Sequence, residues 1–554
     1  MTSPFEKENF YFTPFGGSEE FGVNLNLYAL ENEFLVIDCG IGFADERFPG
    51  IDLLLPDPKL LEQNKKKLKG LIITHAHEDH IGAVAYLWHR LECPIYCTAF
   101  TAAVLRKKLE QNGVKGVPVH IVDMQSPVKI GSFNIEFIPV SHSVPGSASV
   151  VIRTKLGNIL HSGDWNLDPH PVVGQETKAA AFKKLAKEKI IAYIGDSTNA
   201  EVQGRAGSES DVAKGLAAEF KQCEGRIAVT LFSSNIGRLV SIARAAEEAG
   251  RKVAVAGRSL HRMIAAAHEC GYMKGVPDFL GEEEIARLPR KECVFVVTGS
   301  QGEYRAALAK IARGDHPSIR LERGDTVIFS ARAIPGNERN INAIKNALSA
   351  AAIKVISPRD TKNIIHVSGH PCREEIEEMY GWVRPGCVIP VHGERTQLTA
   401  QGQLARDCQI SSVVIPNNGS VIRLAPGPVE IVDHVETGLL AVDQRRIIPS
   451  THQSIIARRK LQYTGSIHIS IVLDDTHAPL APPRIDTVGL CGEDDKQEFE
   501  YELQEEVLAV LSDVEWDEGI SAHIIEEEIR ICLRRYVSHV LGFKPKTTVH
   551  VTIV

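Results

Sequence analysis

From Thr74 to His80 the chain reads Thr-His-Ala-His-Glu-Asp-His, so His75, His77, Asp79 and His80 offer four potential metal ligands within six residues. Neutral imidazoles and carboxylates suit borderline divalent metals such as zinc. The apolar run Leu71-Ile-Ile-Thr74 precedes the cluster and a helical pattern over 81–92 follows it. The ligands therefore occupy a strand-to-helix turn inside a folded domain, unlike a tag or a surface patch. His75 and His77 alternate along a chain leaving a strand and can share one face. Asp79 and His80 enter the first helical turn, where they can face a second metal.

Single acids and histidines end other apolar runs. Asp38 ends Phe34-Leu-Val-Ile, His142 follows Phe-Ile-Pro-Val-Ser, Asp164 follows Ile-Leu-His-Ser-Gly, and His392 follows Val-Ile-Pro-Val. Alone, each reads as a cap, a turn former or a satisfied core residue. Together they form one constellation, because residues at the ends of neighbouring strands converge at one sheet edge.

The elements that must position them follow from periodicity. Short strands over 34–38, 71–74, 133–140 and 158–160 alternate with turns, and 81–92 and 101–112 read as helices. From 200 to 355 the character changes. Strand-like runs at 226–230, 252–256, 293–297 and 326–329 alternate with helical ones at 211–221, 237–249, 260–270, 303–313 and 337–351, which predicts a parallel α/β sheet. Short strands and tight turns return over 355–425, and 426–465 reads as a connecting segment. Beyond it come a strand, helical stretches at 498–513 and 519–541, and a final strand, Thr547–Val554.

At 554 residues the chain predicts three or four domains. Its net charge of −8 argues against a generally basic nucleic-acid coat, so any positive field must be local. Eleven scattered cysteines give no disulfide framework. The start, Met1-Thr2-Ser3-Pro4-Phe5-Glu6-Lys7, lacks a signal peptide, and no apolar run is long enough for a membrane helix, which predicts a cytoplasmic protein with no membrane partner.

With these motifs the sequence resembles the metallo-β-lactamase superfamily, whose signature is His-x-His-x-Asp-His. The resemblance implies two Zn²⁺ per chain: one on His75, His77 and His142, the other on Asp79, His80 and His392. Asp164 would bridge them and Asp38 would orient ligands from behind. A metal-bound hydroxide would be the nucleophile. Asp164 and His392 then build one site although a domain's length of chain separates them, so 200–355 is an insertion. It resembles the β-CASP domain of nucleic-acid-cutting members. Gly195-Asp196-Ser-Thr resembles motif A, Ile365-His-Val-Ser-Gly-His370 motif B, and Pro390-Val-His392-Gly-Glu motif C. The implied catalytic residues are Asp79, Asp196 and His370, with His370 beside the leaving oxygen.

Four further stretches resemble the ribonuclease J family: Phe232-Ser-Ser-Asn-Ile-Gly-Arg238, Gly257-Arg-Ser-Leu260, Thr298-Gly-Ser-Gln-Gly-Glu303 and Ile334-Pro-Gly-Asn-Glu338. By that resemblance Ser233, Ser234, Asn235, His366, Ser368, Gly369 and His370 hold the substrate's 5′ phosphate or backbone. Arg238, Arg258, Arg262 and Arg332 fall in or beside these loops, either as the local positive field or as ordinary arginines paired with carboxylates.

The whole reads as an α/β protein: a metallo-β-lactamase αββα sandwich with an inserted β-CASP α/β domain and a small α+β C-terminal domain. The expected parts are 1–200 and 356–430 for the sandwich, 201–355 for the insertion, 431–465 for a linker and 466–554 for an oligomerising domain. The implied activity is 5′-to-3′ exonuclease and endonuclease cleavage of single-stranded RNA in RNA maturation and mRNA decay. Implied partners are a homodimer or homotetramer and other RNA-degradation proteins. Mn²⁺ or Mg²⁺ could support turnover, and Asp52 and Asp443 are candidates for a structural Ca²⁺ site. The rival readings are a small-molecule or thioester hydrolase of the same superfamily, an RNA-binding scaffold subunit of a degradation complex and a DNA-directed β-CASP nuclease. The insertion opposes the first, the complete ligand set the second, and His392 in motif C the third.

Overall fold

The computed structural model describes residues 4–334, 336–514 and 521–554. Met1, Thr2, Ser3, Pro335 of the fourth loop and residues 519 and 520 of the expected last helix lie outside them.

Alternating burial along Phe133–Pro139, where Phe133, Ile135 and Phe137 are buried and Asn134 is exposed, shows a strand with one face on a core. That strand belongs to a seven-stranded sheet that also holds Ala148–Thr154, Gly157–His161, Ile190–Asp196 and Cys387–Val391. An eight-stranded sheet carries Phe10–Gly16, Leu25–Leu30, Glu33–Ile37 and Leu68–Ile73. Phe10, Phe12, Tyr28, Leu35, Ile37 and Ile72 from the second sheet meet Ile135, Phe137, Val150, Ile152 and Ile194 from the first in one buried core. Each such side chain contributes about 1.5–3 kcal/mol on burial. Helices Ala179–Glu188 and Arg373–Val383 cover the outer face of the seven-stranded sheet. Ile376, Tyr380 and Val383 recur there at helical spacing.

The chain leaves this sandwich after Ile190–Asp196 and builds a five-stranded parallel sheet in the order 252–256, 293–297, 227–230, 326–329, 354–356. Helices Glu209–Gln222, Ile236–Glu248 and Arg258–Glu269 pack on one face. Ala307–Arg313 and Glu338–Ala350 pack on the other. The chain then returns as Cys387–Val391, parallel to Ile190–Asp196 with Asp196 opposite Val391. Ala76, between two candidate ligands, is buried in the inserted layer's core with Phe100 and Val144.

Contacts divide the described chain into one unit of residues 1–42 and 55–439 and a second of 43–54 and 440–554. In the second, Ser466–Leu473 lies between Arg484–Val488 and Lys546–Ile553, and helices Lys496–Asp513 and Ala522–Val540 share its core. Among the described residues no helix is long and apolar enough to cross a membrane.

Two expectations are corrected. The supposed connecting segment 426–465 holds the strands Glu430–His434, Leu439–Asp443 and Arg446–Pro449 and the helix Gln453–Thr464. The first strand is exposed throughout and the helix buries only Ile455, so neither leaves an apolar period to read. The helix expected at 303–313 begins only at Ala307, because the chain turns at Gly302, whose φ is +81°.

Candidate metal centre

Every candidate ligand leaves its strand at the same edge of the sandwich. His75 and His77 follow Leu68–Ile73, His142 follows Phe133–Pro139, Asp164 follows Gly157–His161 and His392 follows Cys387–Val391. Asp38 and His392 adopt left-handed backbone, with φ of 64° and 57°, a conformation uncommon outside glycine. Behind them the loop 38–41 grips the turn Glu78–Ile81: Cys39 N donates to His80 O at 2.7 Å and Ile41 N to Glu78 O at 3.0 Å. At Gly40 a Cβ would stand 1.5 Å from Asp79 O, so only glycine permits this approach.

The side chains converge in two groups. His75, His77, His142 and Asp164 form one; Asp79, His80, Asp164 and His392 form the other. His77 Nδ1 lies 3.1 Å from both His75 Nε2 and His142 Nε2. Asp164 Oδ2 lies 3.5 Å from His75 Nε2 and 3.2 Å from His80 Nε2. His392 spans the second group, with Nε2 3.1 Å from Asp79 Oδ2 and Nδ1 3.1 Å from Asp164 Oδ1.

Hydrogen bonds behind the rings fix which nitrogens face inward. His142 Nδ1 is 2.7 Å from Gly369 O, and a carbonyl only accepts, so Nδ1 carries the proton and Nε2 is bare. His80 Nδ1 donates to Asp38 Oδ2 at 2.7 Å, which bares its Nε2 likewise. Thr74 Oγ1 donates to Asp38 and so accepts from His75 Nδ1 at 3.0 Å. Asp38 thus orients a ligand of each group, directly through His80 and through Thr74 for His75. Three bare imidazole nitrogens then surround Asp164 Oδ2, a buried oxygen without a hydrogen-bond partner among the described residues. Lone pairs facing lone pairs in a buried site call for positive charge between them, a proton or a metal ion. The residues present therefore fit divalent metal ions, held by neutral imidazoles and carboxylates.

The charges agree. Burial holds His77 down to about 4 and keeps His75 and His142 well below the ordinary imidazole range. Burial would also lower His80 and His392, but Asp164 and its neighbouring carboxylates lift both well above it. The second group thus carries a negative field that demands positive charge.

Asp196 and His370 adjoin these groups. His370 Nδ1 lies 2.8 Å from Asp196 Oδ2, and both share a third cluster with Asp164 and His392. Burial raises the Asp196 carboxyl, but His370 and His392 together hold it well below its usual range. Ser368 and Gly369 lie in the same returning segment, and a Cβ on Gly369 would stand 2.9 Å from His142 Cε1. Ser233, Ser234 and Asn235 sit instead where strand Ile227–Thr230 ends, with Asn235 capping helix Ile236–Glu248. Arg238 joins this loop to His366. It is fully buried, pairs with Glu209 at 2.5 Å and lies 3.3 Å from His366 Nδ1. Burial and that guanidinium push His366 down to about 3.

Arg238 is thus a buried, neutralised residue and adds nothing to a surface field. Arg262 is paired too, with Glu78 at 3.4 Å, whereas Arg258 and Arg332 are exposed. Asp443 Oδ2 is paired with both Arg446 and Arg458. Neither Asp443 nor Asp52 joins a ligand group among the described residues.

Sequence reasoning missed Ser143, whose Oγ lies 3.2 Å from His77 Nε2, and Asn166 and Asn199, which hold the 368–370 segment. Polar residues in turns carry no local signal for contacts made so far along the chain.

Four family models match the chain. "Metallo-beta-lactamase superfamily" matches residues 19–181 and "Ribonuclease J, beta-CASP domain" matches 224–348. "Zn-dependent metallo-hydrolase RNA specificity domain" matches 356–416 and "Ribonuclease J C-terminal domain" matches 454–554. Ribonuclease J of Sinorhizobium meliloti is 40% identical over 553 residues, covering 99% of this chain and 98% of the relative. That of Synechocystis is 36% identical over 86% of this chain and 75% of its own. That of Mycolicibacterium smegmatis is 34% identical over 89% of each. The crystal structure of a protein of unknown function from Enterococcus faecalis V583 shares the fold, with a TM-score of 0.53 at 15% identity, over 75% of this chain and 100% of that one.

Proposed function

Because the chain belongs to the ribonuclease J family, a family of metal-dependent ribonucleases, we propose that it is a two-zinc nuclease that degrades single-stranded RNA from a 5′ monophosphate in the 5′-to-3′ direction. Internal cleavage by the same centre would add endonuclease activity, and both would serve RNA maturation and mRNA decay. The observation that carries this reading is Asp164, buried and shared by two complete ligand groups.

His75, His77 and His142 would hold one zinc and Asp79, His80 and His392 the other, with Asp164 between them. When bound, such a pair supplies a nucleophile at neutral pH and neutralises charge developing on phosphoryl oxygens. The protein's own groups do the rest. Asp196 keeps the His370 ring oriented through its 2.8 Å bond and favours the protonated form. His370 can then protonate the departing oxygen. Ser233, Ser234, Asn235, His366, Ser368 and Gly369 form the pocket for the 5′ phosphate, and anchoring that end sets the cut one nucleotide inward. The unit containing residues 440–554 would assemble the protein as a homodimer or homotetramer, open to other RNA-degradation proteins. Mn²⁺ and Mg²⁺ are the metals to compare with zinc.

The test is a 5′-labelled single-stranded RNA, offered with a monophosphate or a triphosphate, with and without chelator. Rapid release of labelled mononucleotide from the monophosphate form, abolished by chelator, is expected. RNA that binds but stays intact with metal restored would overturn the reading.

A further inference from the structure

Three consecutive carbonyls of the returning segment are each held by a side chain from the first part of the sandwich. Asn166 Nδ2 donates to Ser368 O at 3.2 Å, His142 Nδ1 to Gly369 O at 2.7 Å and Asn199 Nδ2 to His370 O at 3.2 Å. The second amide hydrogen of Asn199 goes to Ser368 Oγ at 2.8 Å. Chemistry fixes the orientation of that amide, because a carbonyl can only accept and the side-chain oxygen could not face His370 O. His370 N also donates to Ser368 Oγ, at 3.2 Å.

A hydroxyl has two acceptor sites and one hydrogen. In Ser368 both acceptor sites are taken, and no acceptor for its hydrogen stands among the described residues. Asn199 is buried, 6% exposed, whereas Ser368 is half-buried and within reach of a ligand. We propose that Asn199 is a positioning residue that makes the Ser368 hydroxyl a one-way donor to an anion, the 5′ phosphate of the RNA. The proposal rests on the phosphate pocket described above and deepens it. A serine free to rotate presents lone pairs as readily as its hydrogen. One whose lone pairs are occupied presents only the hydrogen, which an ionised phosphate accepts and an uncharged 5′ hydroxyl does not reward to the same degree.

A double-mutant cycle tests this. The readout is the ratio of kcat/KM on 5′-monophosphorylated RNA to kcat/KM on the same RNA with a 5′ hydroxyl. Ser368→Ala should lower the ratio about tenfold, the scale of one hydrogen bond to a charged group. Asn199→Ala should lower it by a similar factor, carried by KM. With Ser368 already replaced by Ala, the Asn199 change should lower it no further. Asn199→Asp keeps the shape if the alanine variant fails to fold. Its carboxylate would draw the Ser368 hydrogen inward, and the ratio should again fall. A ratio unchanged by either Asn199 variant, or losses that multiply in the double variant, would overturn the proposal. If Ser368→Ala alone leaves the ratio unchanged, the pocket reading itself fails and this inference falls with it.

Discussion

His77 faces both His75 and His142 through one ring nitrogen, so replacing it by alanine removes a third of one ligand group's imidazoles. His77→Ala should lower RNA cleavage about a hundredfold or more while thermal stability moves by no more than about 1 kcal/mol, since the residue is half-buried. Full cleavage by a metal-free preparation of this variant would remove the assignment. Asp38 offers a finer test. It touches no inward-facing atom, yet it accepts from Thr74 and His80 and so sets both groups. Asp38→Ala should weaken metal affinity about 10–100-fold, read by competition with a chelator. The convergence of the candidate ligands was legible because four of them crowd one turn and the rest end apolar runs. Ser143, Asn166 and Asn199 were not, because each acts through partners distant in sequence and looks like ordinary turn chemistry.

Loop and helix meet more closely at Gly40 than side chains allow. Gly40→Ala would drive a methyl into Asp79 O, displacing the turn that carries Asp79 and His80. A loss of about 1–3 kcal/mol in denaturant melts should accompany lost activity, so the variant differs from His77→Ala in failing on both counts. The hairpin Leu439–Asp443/Arg446–Pro449 makes a separate test. Hydrogen bonds from Arg458 and then Arg446 hold Asp443 down to about 2. A carboxyl lowered on folding contributes stability above its unfolded value, about 3.9, and loses it as pH falls towards the folded one. Protection of the amides in this hairpin, measured relative to their intrinsic exchange at each pH, should therefore fall between pH 4 and 2, and less so in Asp443→Asn. The alternating strands and helices of the insertion were readable from period alone. The 426–465 stretch was not, for its helix buries only Ile455 and its first strand buries nothing.

For the molecule as a whole, the fold class was legible because motifs of one site lie on both sides of a contiguous α/β pattern, which requires an insertion. How residues 440–554 assemble was not, since a small α+β core shows burial but not what meets its surface. Leu533 is fully buried in that core. Leu533→Ala should destabilise this unit by about 2–5 kcal/mol, measured by amide exchange of helix Ala522–Val540, with the ligand groups of the other unit untouched. The return of the chain as Cys387–Val391 has a consequence in time. The strand that presents His392 is made long after the one that presents His75. At about 5–20 residues per second, roughly 15–65 s of synthesis separate the two. A growing chain therefore lacks the second candidate group until His392 has been made and its strand can pair beside Ile190–Asp196.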